Sequence, residues 1–133
     1  LAELGAKVLL IDLDPQGNAS TGLGIEPAKR QRTTYDLLFD EVELADVIQQ
    51  TATPGVMIAP SNSDLSSADM ELVSNERRSF LLHDALRQPA MEPFGFDMIL
   101  IDCPPAIGML TVNALVASDY VLMPLQAEFL PLK

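Results

Sequence analysis

Hydrophobic positions in this chain gather into short runs with polar punctuation between them. Two runs stand out: Val8-Leu9-Leu10-Ile11-Asp12-Leu13-Asp14-Pro15 and Met98-Ile99-Leu100-Ile101-Asp102-Cys103-Pro104-Pro105. Each is apolar, ends in carboxylate and breaks at proline. Runs of this length, rich in Ile, Leu and Val, read as parallel strands buried on both faces. On this pattern Lys7 to Leu13 and Asp97 to Asp102 are the main strands, with further strands at Val56 to Ala59 and Tyr120 to Leu125. Helical spacing occupies Thr34 to Phe39, Leu44 to Gln50, Ser63 to Val73, Glu76 to Leu86 and Leu110 to Ala117. Thr33 or Thr34, and Glu43 or Asp46, suit the starts of the first two helices. Gln16 to Gly24, rich in Gly, Asn, Ser and Thr, reads as a loop. Strands separated by helices predict βαβ units: an α/β fold with a mostly parallel sheet flanked by helices. The stretch Gln88 to Pro93 is a proline-bearing connection within the domain, and no internal repeat is present.

The carboxylates at the strand ends carry the chemistry. In an open α/β sheet, ligands sit beyond the carboxyl ends of the strands. Asp12 and Asp14, two apart on a strand, point to the same side. If the two main strands are parallel neighbours or near neighbours, Asp102 joins them at one edge. Three carboxylates gathered there repel one another and lose hydration. A bound Mg²⁺ with a phosphate ligand accounts for such a cluster. The plainer reading makes Asp14 a turn residue that bonds local backbone N–H groups. It makes Pro104-Pro105 a rigid loop before the helix at Leu110, with Gly108 turning the chain.

Composition narrows the classes. The chain has 133 residues, 48% hydrophobic and 20% charged, which suits one globular domain. A formal net charge of -11 argues against nucleic-acid binding by this stretch's own charge. The single cysteine, Cys103, excludes an internal disulfide and fits a reducing compartment. No apolar run is long enough to span a bilayer, and no signal-peptide pattern is present. The first residues read as the last turn of a helix and the final ones follow a strand, so sequence is expected on both sides.

The string Leu9 to Gly24, with Asp12-Leu13-Asp14-Pro15-Gln16-Gly17-Asn18 at its centre, resembles the second nucleotide motif of the ParA/Soj partitioning ATPases. Ile101-Asp102-Cys103-Pro104-Pro105-Ala106-Ile107-Gly108 resembles that family's Walker B and switch II segment, with Ala106 where the family often has Ser. Asn113-Ala114-Leu115 and Pro124 to Phe129 resemble the segments that follow. The related MinD proteins usually lack the Pro-Gln-Gly-Asn continuation. The resemblance implies a P-loop NTPase-like fold truncated at both ends, with residues 1–133 forming a single partial domain, the middle of a ParA-type ATPase domain. It implies a Mg-ATP-dependent dimer switch that positions chromosome or plasmid DNA. Asp14 would orient the attacking water; Asp12 and Asp102 would hold Mg²⁺ through its waters. Asn18 would sit in switch I, near the phosphates or the dimer face. It further implies an ATP-dependent homodimer, a ParB-type partner, non-specific DNA contacts in parts of the parent absent here, no membrane, and a cytoplasmic, nucleoid-associated location. The family's Walker A loop, a Gly-rich turn with two lysines and a Mg²⁺-binding Thr, occurs nowhere in this sequence.

Two other readings compete. A receiver-type phospho-acceptor domain also gathers Asp and Mg²⁺ at a sheet edge, with Lys133 as its lysine. It leaves Pro-Gln-Gly-Asn unexplained and wants its Asp sites closer in sequence than Asp14 and Asp102. The third reading is a nucleotide-inactive partner-binding adaptor. The remaining residues read as structural. Cys103 lacks a His or basic neighbour for nucleophilic work. His83, in the Glu76 to Leu86 helix, reads as a surface or satisfied residue and not a ligand, and Arg77 and Arg78 form a solvated face. The acidic excess from Asp36 to Glu76 keeps the surface soluble. Met57, Met70, Met98, Met109 and Met123 read as core filler.

Overall fold

The computed structural model describes residues 5–40 and 42–122. Strand β1 (Val8–Asp12) lies inside a four-stranded sheet of order β2-β3-β1-β4, where β2 is Gln49–Gln50, β3 is Val56–Ala59 and β4 is Met98–Asp102. β1 pairs in parallel with β3 and with β4. Only the two-residue β2 is antiparallel, against β3. Leu9, Ile11 and Leu13 are fully buried and anchor the core with Ala59, Leu65, Leu82 and Leu110. A central strand loses water on both faces, which is why β1 reads as an unbroken apolar run.

Among the described residues six short helices flank the sheet: α1 (Asn18–Gly22), α2 (Thr34–Phe39), α3 (Leu44–Val47), α4 (Ala68–Leu72), α5 (Leu81–Leu86) and α6 (Met109–Ala117). α2 begins as the sequence predicts. Thr33 Oγ1 accepts the Tyr35 N–H, and Asp36 returns the bond to the Thr33 N–H at 2.8 Å, a complete capping box. α6 runs one residue longer than its sequence pattern and carries Asn113 inward. That fully buried amide donates to the carbonyls of Arg78 and Met109 and accepts the Leu82 N–H, tying α6 to the start of α5.

Several expectations need correction. Gln16 to Gly24 is not all loop, because α1 forms inside it. Leu44 to Gln50 is helical only to Val47; the chain then extends at Ile48 into β2, where β3 supplies backbone partners. Ser63 to Val73 opens as a 3₁₀ turn (Ser63–Ser67) before α4. Glu76 to Leu86 becomes α5 only at Leu81, since Arg78 and Phe80 close three-residue turns on Asn75 and Arg77. β4 is not buried on both faces: Met98, Ile99 and Leu100 are 38–39% exposed, because β1 is its only strand neighbour among the described residues. Met70 is 84% exposed on α4 and is not core, while Met91 is buried. Of the strand expected at Tyr120 to Leu125, residues 120–122 are exposed and unpaired among the described residues, and 123–125 lie outside them. Met123, the Pro124 to Phe129 segment and Lys133 also lie outside the described residues.

Candidate active site

The parallel register sets Asp12 directly opposite Asp102, so both strands deliver a carboxylate to the same edge of the sheet. The Leu13 N–H donates to the Asp102 carbonyl at 2.8 Å and carries the pairing one residue past β1. Asp14 then leaves the strand. Its own N–H donates to Asp12 Oδ1 at 3.0 Å, its Oδ1 accepts the Gln16 N–H at 3.0 Å, and its carbonyl accepts the Gly17 N–H at 2.9 Å. Asp12 and Asp14 thus do not project as two teeth of one strand: β1 ends at Asp12, and a turn holds Asp14.

The Asp102 carboxylate feels the other two. The Asp102 carboxyl is raised above its ordinary range, first by burial and then by the negative charges of Asp12 and Asp14. Such an edge favours a cation. Among the described residues no three His, Cys, Asp or Glu side chains form a direct metal cage. Mg²⁺ commonly keeps several of its waters and touches few protein ligands, so the arrangement suits a hydrated ion. Cys103, beside Asp102, is held in its thiol form by burial and by the Asp102 charge, which opposes a nucleophilic role.

A buried polar network that the sequence did not reveal shapes this edge. Asp12 Oδ2 accepts both the Ser20 N–H at 3.0 Å and the Ser20 Oγ–H at 2.7 Å. Ser20 Oγ in turn accepts the Ser61 N–H at 3.1 Å, and Ser61 Oγ donates to the Asp14 carbonyl at 2.6 Å. Thr34 Oγ1 donates to the Asp12 carbonyl at 2.9 Å. Asp12 therefore caps α1 from eight residues away by taking an N–H that the first turn leaves free. This is why a Gly-, Asn- and Ser-rich stretch turns helical. Asn18 opens α1 and is exposed, with no side-chain hydrogen bond among the described residues.

Arg30 is a second buried polar residue that the sequence pattern does not mark. Its buried guanidinium donates to the Ile25 carbonyl from Nε at 3.0 Å and from Nη2 at 2.6 Å, to Thr21 Oγ1 at 2.8 Å, and to the Ser61 carbonyl at 3.4 Å. Gly17 sits against it with φ +67°, and a Cβ there would lie 2.5 Å from Arg30 Nη1. On the Asp102 side, Asp69 Oδ1 accepts the Met109 N–H at 2.6 Å, and a Cβ on Gly108 would lie 2.6 Å from Asp69 Oδ2. The loop after Asp102 is thus fastened where α6 begins. A cavity of about 130 Å³ opens between Pro15, Asp69, Pro104 and Gly108. Ser61 could have been found in the sequence, since it follows β3 and Pro60 at the same sheet edge. Ser20 and Arg30 carry no such signal, because only tertiary contacts bring them in.

Carboxylates at the ends of two adjacent parallel strands, each followed by a proline-bearing turn, suit an α/β fold of the P-loop NTPase kind. Comparison with solved structures agrees. Cobyrinic acid a,c-diamide synthase from Mycobacterium smegmatis, crystallised with a bound ATP analog and magnesium, superposes with a TM-score of 0.79 at 38% identity, covering 88% of this chain and 46% of that one. The AAA domain family model matches residues 1–133, and the chain belongs to that family, within its ParA/Soj group. The chromosome partitioning protein ParA of Caulobacter vibrioides is 48% identical over 134 residues, covering 100% of this chain and 49% of the relative. The sporulation initiation inhibitor protein Soj of Bacillus subtilis is 43% identical over 133 residues, covering 100% of this chain and 51% of the relative. The chain therefore spans about half the length of these curated relatives. A family match over the whole chain removes the receiver-type alternative.

Proposed function

We propose that this chain is the water-activating and metal-facing part of an ATP-hydrolysing partitioning protein of the ParA type. In this reading the whole protein is a Mg-ATP-dependent homodimer switch. It works in the cytoplasm on the nucleoid and positions chromosome or plasmid DNA with a ParB-type partner. The observation that carries it is the Asp12–Asp102 register, which brings the acidic edge together on a chain so similar to ParA.

Bound Mg-ATP supplies the phosphoryl group and the positive charge that offsets its negative oxygens. The chain's own residues divide the remaining work. Asp14 orients the attacking water and accepts its proton: its Oδ1 is fixed by the Gln16 N–H, and no donor among the described residues occupies Oδ2. Asp102 holds the metal's water shell, since it is half-buried and its carboxylate accepts no hydrogen bond among the described residues. Asn18 faces solvent at the start of α1, free to meet phosphates or a second protomer.

The test uses the full-length protein. Asp14→Ala is expected to bind ATP with parental affinity and to lose hydrolysis by about 10²–10⁴-fold, the usual size of a general-base contribution. Asp102→Ala is expected instead to weaken Mg²⁺-dependent binding. The ATP-bound dimer then persists in the first variant and is depleted in the second. ATP affinity, turnover and dimer fraction decide it; parental turnover in Asp14→Ala overturns the assignment.

A further inference from the structure

The donor set around Asp12 does not suit a metal-holding role. Its side chain is fully buried, with Oδ1 taken by the Asp14 N–H and Oδ2 by the Ser20 N–H and Oγ–H. A carboxylate offers about four lone-pair sites, so most of this one's capacity is already filled from within the protein. A hydrated Mg²⁺ needs an acceptor that its waters can reach. Asp102 offers that acceptor, and Asp12 does not.

We propose that Asp12 is a positioning residue for Asp14 and not a holder of the metal. The proposal rests on the Mg-ATP reading above and reassigns one carboxylate within it. Asp12, Ser20, Ser61 and Asp14 close a ring of hydrogen bonds. Asp12 takes the Asp14 N–H, Ser20 Oγ links Asp12 to the Ser61 N–H, and Ser61 Oγ grips the Asp14 carbonyl. Asp12, Ser20 and Ser61 are 0% exposed and Asp14 is 8% exposed, so water does not compete for these bonds. Asp14 is thereby pinned at both its N–H and its C=O. With its backbone fixed and its Oδ1 bonded to Gln16, the carboxylate has little freedom left, and Oδ2 is without a partner among the described residues. The ring also couples three chain segments, the end of β1, the first turn of α1 and the exit of β3. A shift in any of them moves the catalytic group. Small misplacements of this kind cost rate while leaving binding intact.

Asp12→Asn tests the chemistry with little change in shape. The amide replaces one oxygen by NH₂, which in either orientation meets an N–H donor where an acceptor is needed. In the full-length protein, kcat is expected to fall about tenfold or more, with KM for ATP within about threefold of the parent. The Mg²⁺ concentration that half-saturates binding of a fluorescent ATP analogue is expected to stay within about threefold, whereas Asp102→Ala raises it about tenfold or more. Ser61→Ala carries the test by a second route, should Asp12→Asn not fold. It removes the bond to the Asp14 carbonyl, lowers kcat with KM and Mg²⁺ dependence unchanged, and speeds amide exchange across residues 12–20 in nucleotide-free protein. The proposal is overturned if Asp12→Asn shifts the Mg²⁺ requirement as Asp102→Ala does. It is overturned equally if Ser61→Ala leaves both kcat and exchange at parental values. Failure of the Mg-ATP reading looks different: the parent itself then neither binds nor hydrolyses the nucleotide, and the exchange measurement still reports whether the ring holds Asp14.

Discussion

Asp102 stands at the end of β4 with part of its hydration lost and with Asp12 and Asp14 adding negative charge, and its carboxyl is raised above the ordinary 3.8 for these reasons. The consequence for stability has a definite sign. The folded chain binds this proton more tightly than the unfolded chain does. Asp102 therefore lowers stability progressively as pH rises from the ordinary value through the raised one, and is neutral in effect below both. Asp102→Asn is expected to be more stable than the parent at pH 7, with the difference closing as pH falls toward 4. Urea midpoints measured across that range check it, and a less stable Asn variant at pH 7 contradicts the account. Mg²⁺ is expected to raise the parent's midpoint and to leave that of Asp102→Asn nearly unchanged, because the ion relieves a repulsion that the variant no longer has. Asp12, by contrast, accepts hydrogen bonds from the Asp14 N–H and from the Ser20 N–H and Oγ–H.

The short helices α1 and α2 are held by specific polar contacts more than by their own length. Helices of five and six residues are marginal alone, so these contacts decide where the two stand. In α2 the Thr33–Asp36 box satisfies two backbone donors reciprocally. Thr33→Ala is expected to cost about 1 kcal/mol, read from the urea midpoint with an unchanged slope. α1 depends on the left-handed turn at Gly17 and on its contact with Arg30. Gly17→Ala places a Cβ in a disfavoured backbone region and against a buried guanidinium, so a loss of roughly 1–3 kcal/mol is expected. Because Gly17 lies between Asp14 and Ser20, turnover in the full-length protein is expected to fall with it; parental stability and parental turnover together would contradict the packing described here.

The sequence holds an acidic edge without a phosphate cradle. Its lysines are Lys7, Lys29 and Lys133, and none follows a Gly-rich loop. Phosphoryl transfer depends on donors that cradle the phosphates and on cations that neutralise them. The 133-residue chain by itself is therefore expected to show no steady ATP turnover. Turnover by highly purified chain that disappears on Asp14→Ala would prove otherwise. Among the described residues no helix is long and apolar enough to cross a membrane.

Much of the architecture was legible because it is written in local pattern. Val8 to Asp12 and Met98 to Asp102 announce strands through unbroken apolar runs, and the proline after each carboxylate marks where the ladder stops. Asp12, Asp14 and Asp102 could be placed at one edge because strand direction and the α/β rule leave few alternatives. Thr33 was one of two adjacent threonines that suited the start of its helix, and the structure chose it. What the sequence could not show depends on distant segments meeting. The first turn of α1 is helical because Asp12 caps it across eight residues, and β2 extends because β3 offers backbone partners. Met70 is exposed because no described residue packs over α4 at that point, although its spacing looks like core. The sequence determined which residues are acidic, which runs are strands and which family the chain belongs to. Only the tertiary structure decided that the Asp12 carboxylate faces inward to Ser20 while that of Asp102 accepts no hydrogen bond among the described residues. That division follows from packing between β1, α1 and the exit of β3, which no single segment encodes.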